Sequence, residues 1–112
     1  MTIERGTTQA INITIRGWDL TGCNIYTTFK QGKKILTKDA ANNVTYTNNA
    51  TKFSVTLSQN ETMMFEENAK GKAQVRWVNA GGAAYKTKPA EFNTDELLYE
   101  KLLVFKEDGG NG

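Results

Sequence analysis

The stretch AQVRWVNAGGAAYKT, residues 73–87, is the part of the sequence that decides the fold. Apolar side chains at every second position alternate with Gln74 and Arg76, which is the pattern of a β-strand with one buried face. The two glycines that follow can adopt a positive φ, so residues 83–88 are predicted to return as an antiparallel strand. Arg76 and its neighbour Trp77 therefore point to opposite faces, with Trp77 in the core and Arg76 outside.

The same alternation recurs along the chain, with turn residues between the apolar runs. Pro89 cannot donate a hydrogen bond to a sheet, so the strand before it is expected to lie at an edge or to end there. About six to eight short strands in a chain of this size predict an all-β fold, an antiparallel immunoglobulin-like β-sandwich, with a small barrel as the alternative. The strands are predicted over residues 9–16, 24–30, 33–38, 44–47, 53–57, 73–78 and 83–88.

Two helical segments interrupt the strand pattern. Ser58 and Glu61 match a capping box, which predicts a short helical turn near residues 58–65. Thr94 is expected to cap a short C-terminal helix near residues 95–103, because acidic residues follow it directly. The apolar stripe of that second helix would consist of Leu97, Leu98, Tyr99 and Leu102.

The chain has 112 residues, of which 38% are hydrophobic. This length is typical of one domain, and we expect a single β-sandwich domain over residues 1–104 and a disordered polar tail over residues 105–112. The sequence shows neither the apolar region of a signal peptide nor a run long enough to span a membrane. We therefore expect synthesis in the cytoplasm and no membrane partner.

The sequence excludes several kinds of chemistry. It contains no histidine and one cysteine, Cys23, so it lacks Ser-His-Asp and Cys-His catalysis, an internal disulfide and a cysteine-based zinc site. The acidic pairs Glu66-Glu67 and Asp95-Glu96 are expected to be solvated surface groups. No catalytic residue, metal or cofactor is predicted, and the protein is expected not to be an enzyme.

The net charge of the chain gives a weaker indication, which concerns its partners. The formal net charge is only +2, so nucleic acid is not expected as a partner. A small barrel that binds nucleic acid is nevertheless a third hypothesis, because lysines surround an aromatic residue of one predicted hairpin. These lysines are Lys30, Lys33, Lys34 and Lys38.

Four runs together resemble one family: ERGTTQAINITI, DLTGCNIYTTFKQGKKILTK, FSVTLSQNETMMF and the opening stretch. The chain is similar, over about residues 4–98, to small proteins encoded in the tail modules of phages and prophages of Gram-positive bacteria. The shared elements are an early RGTT, a strand ending in F-x-Q-G, a T-L-[ST]-Q-x-E-T element and a Q-V-R strand. The resemblance implies an all-β tail or baseplate component, broadly similar to the N-terminal domain of baseplate upper proteins.

The resemblance implies a virion structural protein that is made in the host bacterial cytoplasm and then built into the tail. Its expected partners are other tail or baseplate proteins and, in the assembled particle, further copies of itself. The candidate interface residues are Arg76, Gln74, Lys33, Lys34 and Tyr85. The alternative is a module that binds host cell-wall saccharide on an aromatic platform. That platform would consist of Trp18, Tyr26, Tyr46 and Tyr85.

Overall fold

A computed structural model describes residues 1–39 and 51–105 and, between them, the backbone of 44–46. The described residues form nine strands and one short helix in chain order. The tail predicted over residues 105–112 lies, apart from its first residue, outside the described residues. The elements are β1 (Thr2–Ile3), β2 (Gln9–Thr14), β3 (Asn24–Gln31), β4 (Lys34–Asp39), β5 (Val44–Tyr46), β6 (Lys52–Leu57), α1 (Gln59–Met63), β7 (Lys70–Val78), β8 (Ala84–Lys86) and β9 (Ala90–Thr94).

The strands form two sheets that enclose one core. The larger sheet has the order β1-β9-β7-β3-β4, with β8 also paired to β7, and the smaller has the order β2-β6-β5. The longest pairing joins β3 to β7 and places Ile25 opposite Trp77 and Phe29 opposite Ala73. The prediction of an all-β chain is therefore confirmed.

Both sheets contribute side chains to a single apolar cluster. Val55 and Leu57 enter it from the smaller sheet, and Phe29, Trp77 and Phe92 enter it from the larger one. Trp77 is 3% exposed while Arg76 is exposed, so the assignment of the two side chains to opposite faces is confirmed. Cys23 is also buried.

The sheets differ from the expected antiparallel arrangement in two ways. β1 pairs with β9 in parallel, with Thr2 beside Asn93 and Ile3 beside Thr94, so the larger sheet is mixed. The described strands number nine, which exceeds the expected six to eight. The additional strands β1 and β9 are short segments near the two ends of the domain, where each supplies the pairing partner of the other.

The pairing with β7 is interrupted between β8 and β9, around Pro89. The amide of Thr87 donates to the carbonyl of Val75, at 2.9 Å, whereas Ala90 lies opposite Ala73. The segment from Thr87 to Ala90 thus contains one residue more than the opposite segment of β7, from Ala73 to Val75. This extra residue forms a β-bulge. β8 and β9 are two halves of one strand that is broken around Pro89; the sequence predicted the end of the pairing there but not its resumption as β9.

The C-terminal helix predicted near residues 95–103 is wrong. Thr94 ends β9 and is buried, and its hydroxyl is bonded to the carbonyl of Glu66, so it cannot cap a helix. Asp95 accepts a hydrogen bond from the amide of Arg5 at 2.8 Å. The segment that follows has neither helical nor strand structure, because these contacts with distant residues override its local helical preference.

The predicted helical turn, in contrast, is present as α1. Ser58 accepts from the amide of Glu61, and the carboxylate of Glu61 accepts in return from the amide of Ser58. The same carboxylate binds Nζ of Lys38 at 2.8 Å. Lys38 is 5% exposed, so this lysine of the predicted basic hairpin is part of the fold.

Glu61 makes the stability of the fold dependent on pH. Its partial burial alone would raise the pKa, but the hydrogen bonds from Lys38 and Ser58 outweigh it and lower the pKa of Glu61 below its ordinary value of 4.5. The carboxylate therefore stabilises the folded state above the unfolded-state pKa. That contribution is lost as the pH falls through the lower, folded-state pKa.

We expect Glu61→Gln to be less stable than the wild type at about pH 7, with the difference shrinking as the pH falls to about 3. Glutamine keeps the capping hydrogen bond but leaves the buried ammonium of Lys38 without its counter-charge. Urea unfolding at a series of pH values measures the difference. Glu96→Gln is the matched control, since Glu96 is exposed; a difference for Glu61→Gln that is constant with pH would contradict the prediction.

Candidate interaction surface

Arg5 joins the start of the chain to its C-terminal part. It lies between β1 and β2, and its side chain is 9% exposed. Nε donates to the carbonyl of Phe65 at 2.7 Å, and Nη2 donates to that of Met63 at 3.1 Å. Nη1 and Nη2 donate to the two carboxylate oxygens of Glu100, at 2.7 and 3.1 Å. A planar guanidinium suits this fork of acceptors, whereas a lysine could not satisfy it.

These contacts shift the pKa values of both Arg5 and Glu100. The hydrogen bond to Glu100 raises the pKa of Arg5, and burial opposes that effect. The hydrogen bonds from Arg5 lower the pKa of Glu100. A second carboxylate, that of Glu67, lies 3.9 Å from Nη1 of Arg5. The ion pair is therefore fully charged around neutral pH and holds the C-terminal segment against the domain.

Further contacts fix that segment along its length. The amide of Leu97 donates to the carboxylate of Glu67 at 3.3 Å, and the side chain of Leu97 packs directly over Gly6. The side-chain amide of Gln59 both donates to the carbonyl and accepts from the amide of Leu103, each at 2.7 Å. The segment is thus held at several separate points by polar contacts.

Six apolar side chains of the segment that follows β9 are turned outward. We call them the apolar ridge, and each is at least half exposed, from 51% at Leu102 to 89% at Leu98. An exposed apolar patch of this kind is unusual for a soluble monomer and is typical of a surface that another molecule covers. The ridge consists of Leu98, Tyr99, Leu102, Leu103, Val104 and Phe105.

The outward-facing residues of β3, β7 and β8 form a second surface, the outer face. Arg76 lies here between Tyr26 on β3 and Lys86 on β8, and Lys30 lies directly opposite Lys72. Like charges on directly opposed residues destabilise a sheet by a few tenths of a kcal/mol or more. Lys72 also lies opposite Glu91 on β9, so the pair Arg76 with Lys86 is the one that favours contact with an acidic surface.

The five candidate interface residues do not form one site. Gln74 shares the outer face with Arg76, but its side-chain amide donates to the carbonyl of Thr87 at 2.8 Å and so supports the bulge at Pro89. Lys33 and Lys34 lie at the hairpin between β3 and β4, several residues along the sheet from Arg76. Tyr85 lies opposite Trp77 and thus faces inward, away from Arg76.

The proposed aromatic platform is also divided. Trp18, Tyr85 and Trp77 form a cluster, with ring centroids 4.5 Å apart for Trp18 and Tyr85 and 5.4 Å apart for Trp18 and Trp77. Tyr26 lies on the outer face, away from this cluster. The side chain of Tyr46 lies outside the described residues. The accessible part of the cluster is Trp18, which is 40% exposed.

Sequence reasoning missed the most exposed of these surfaces. The sequence pattern places Leu97, Leu98, Tyr99 and Leu102 in the apolar stripe of a helix, whereas in the structure Leu97 is the member that packs on the domain. The described residues contain no group of three or more His, Cys, Asp or Glu side chains that could hold a metal ion. Over the same residues, no helix has the length and hydrophobicity to cross a membrane.

No protein-family model matches the chain, and no curated protein matches it significantly.

Arg5 provides a test of how the ridge is held. We expect Arg5→Met to lower the free energy of unfolding by about 2 to 3 kcal/mol, because the carbonyls of Phe65 and Met63 lose their charged donor. Hydrogen exchange at the bonded amides of Leu97 and Leu103 should accelerate in the same variant. Arg16→Met is the control, since Arg16 is exposed and its loss should change stability by less than about 0.5 kcal/mol. Equal effects of the two substitutions would contradict this role of Arg5.

Proposed function

We propose that the chain is a non-enzymatic structural protein of a phage or prophage tail, in or near the baseplate, that acts through contacts with other proteins. The apolar ridge is the observation that carries this proposal. Six large apolar side chains are held outward by polar contacts with Arg5 and Gln59. A protein that works as a monomer gains nothing from such a surface, whereas an assembly component covers it.

The outer face supports contacts with a second kind of partner. Its like-charge pair, Arg76 with Lys86, is compatible with an acidic surface on a neighbouring tail protein, and complementary charge would set the orientation of docking. Arg76 lies near the middle of this face and is its central contact. The resemblance of the sequence to tail-module proteins gives the same class of partner.

The same proposal includes the type of β-fold that the two sheets form. We propose that the two sheets form an immunoglobulin-like β-sandwich, in which Trp77 fills the space between them. The antiparallel pairing of β3 with β7 and of β2 with β6 supports this assignment, as does the core that the sheets share. Synthesis in the host cytoplasm and incorporation into the virion complete the proposal.

The proposal can be tested on purified phage tails. Tails purified from a culture that produces the phage should contain the chain in a fixed ratio to other tail proteins, as measured by quantitative mass spectrometry. A variant Arg76→Glu, supplied in place of the wild type, should be incorporated several-fold less, because it places a negative charge against an acidic partner. Arg16→Glu is the matched control and should be incorporated normally. Absence of the wild-type chain from purified tails would refute the function.

A second function, saccharide binding, is favoured by one observation: the half-exposed ring of Trp18 lies over Tyr85. Sugar rings stack on exposed aromatic faces of this kind. Titration with host cell-wall polysaccharide should then change tryptophan fluorescence, and Trp18→Ala should abolish the change. Trp77 is buried and would report little by itself, so an unchanged spectrum of the wild type excludes this function.

A further inference from the structure

An apolar groove runs along β2 between the two sheets. Its volume is about 410 Å³, within the range in which proteins hold ligands. Consecutive residues at the end of β2 line one wall, and β7 and the bulge between β8 and β9 line the other. The apolar lining comes mainly from Ile11, Ile13, Ile15, Phe29 and Val75.

The rim of this groove is a strand edge that no other described strand covers. β2 lies at the end of its sheet and pairs only with β6. The amide of Ile15 donates to Thr51 at 2.8 Å, so odd-numbered residues of β2 face β6 in the ladder. The amides of Ala10, Asn12 and Thr14 therefore point away from the sheet. An extended segment could add to them as a further strand.

A buried hydroxyl marks the floor of the groove. Thr27 lines the groove and is fully buried, and its Oγ1 has no hydrogen-bond partner among the described residues. A buried polar group without a partner is costly. The groove thus offers a mainly apolar surface that also includes polar residues, among them Gln74 and Glu91, so it suits a mainly apolar occupant that carries a hydrogen-bonding group.

We propose that the β2 groove of one molecule receives the apolar ridge of a second copy of this chain. The inference rests on the proposed assembly function, for which it names one partner as the protein itself. The ridge has the required chemistry: it is apolar, and Tyr99 carries a hydroxyl. Its backbone is also available, since Leu103 is the one member whose backbone is hydrogen-bonded within the described chain.

The ridge is large enough for a specific contact between two copies. The six side chains of the ridge would remove on the order of 500 Å² from water per copy. Reciprocal insertion in a symmetric pair would double that area to on the order of 1,000 Å², which reaches the lower limit of a specific interface. Because the ridge and the groove are different surfaces, head-to-tail insertion would instead build a ring or a filament.

The test uses the full chain and two variants that each remove one half of the contact. The ridge variant is Leu102→Ser with Phe105→Ser, and both positions are exposed in the single molecule. The groove variant is Thr14→Pro, which removes an edge donor without breaking a backbone hydrogen bond to β6. Lys72→Ser on the outer face is the control. Circular dichroism and urea unfolding establish that each variant folds.

Analytical ultracentrifugation over a range of concentrations should show that the wild type and Lys72→Ser associate. Each of the two variants alone should associate at least about tenfold more weakly. An equimolar mixture of the two should recover a 1:1 complex, because the ridge variant retains the groove and the groove variant retains the ridge. Recovery in the mixture separates this contact from a general loss of solubility.

Thr27→Val adds a measurement that does not disturb the surface. The substitution should leave the stability of the single molecule unchanged or higher, because it removes an unpaired hydroxyl, and it should leave self-association unchanged, because that hydroxyl is not exposed in the groove. A wild type that stays monomeric, or ridge and groove variants that associate like the wild type, would overturn the inference. Neither outcome would affect the presence of the chain in purified tails, so failure of this inference and failure of the proposed function are distinguishable.

Discussion

The guanidinium of Arg5 is the contact on which the rest of the surface depends. It bonds to the carbonyls that follow α1 and to the carboxylate of Glu100, so it links parts of the chain that are more than fifty residues apart in sequence. Without it the residues after β9 would lose their main attachment to the domain. The outward direction of the apolar ridge is therefore a consequence of one well-satisfied buried cation.

Local patterns predicted the parts of the fold whose determinants lie close together in sequence. The alternation around Trp77 decides which face of β7 is buried, and the pair Ser58 and Glu61 is sufficient to start α1. Pro89, which lacks an amide hydrogen, lies at the break between β8 and β9. In each case the physical cause is a property of a few neighbouring residues, and it can be read without knowing the tertiary structure.

The parts that could not be predicted depend on distant contacts. Residues 95–103 have the composition of a helix, but Thr94 is held in β9 and Asp95 is bound to the amide of Arg5. Lys38 has the sequence context of a surface hairpin, yet its ammonium is buried against Glu61. The β2 groove arises between two sheets and at a bulge, so no sequence motif marks it. The candidate interface residues failed to converge for the same reason: their relative positions depend on the register between strands.

The parallel pairing of β1 with β9 has a consequence for the order of folding. Thr2, near the start of the chain, finds its partner Asn93 only after nearly the whole domain has been synthesised. Closure of so long a loop is slow compared with the formation of hairpins such as β3–β4. The ridge follows β9 directly, and its anchor, Arg5, follows β1. A nascent chain thus cannot present a correctly held ridge until its first and last strands have met, which delays self-association until the domain is complete.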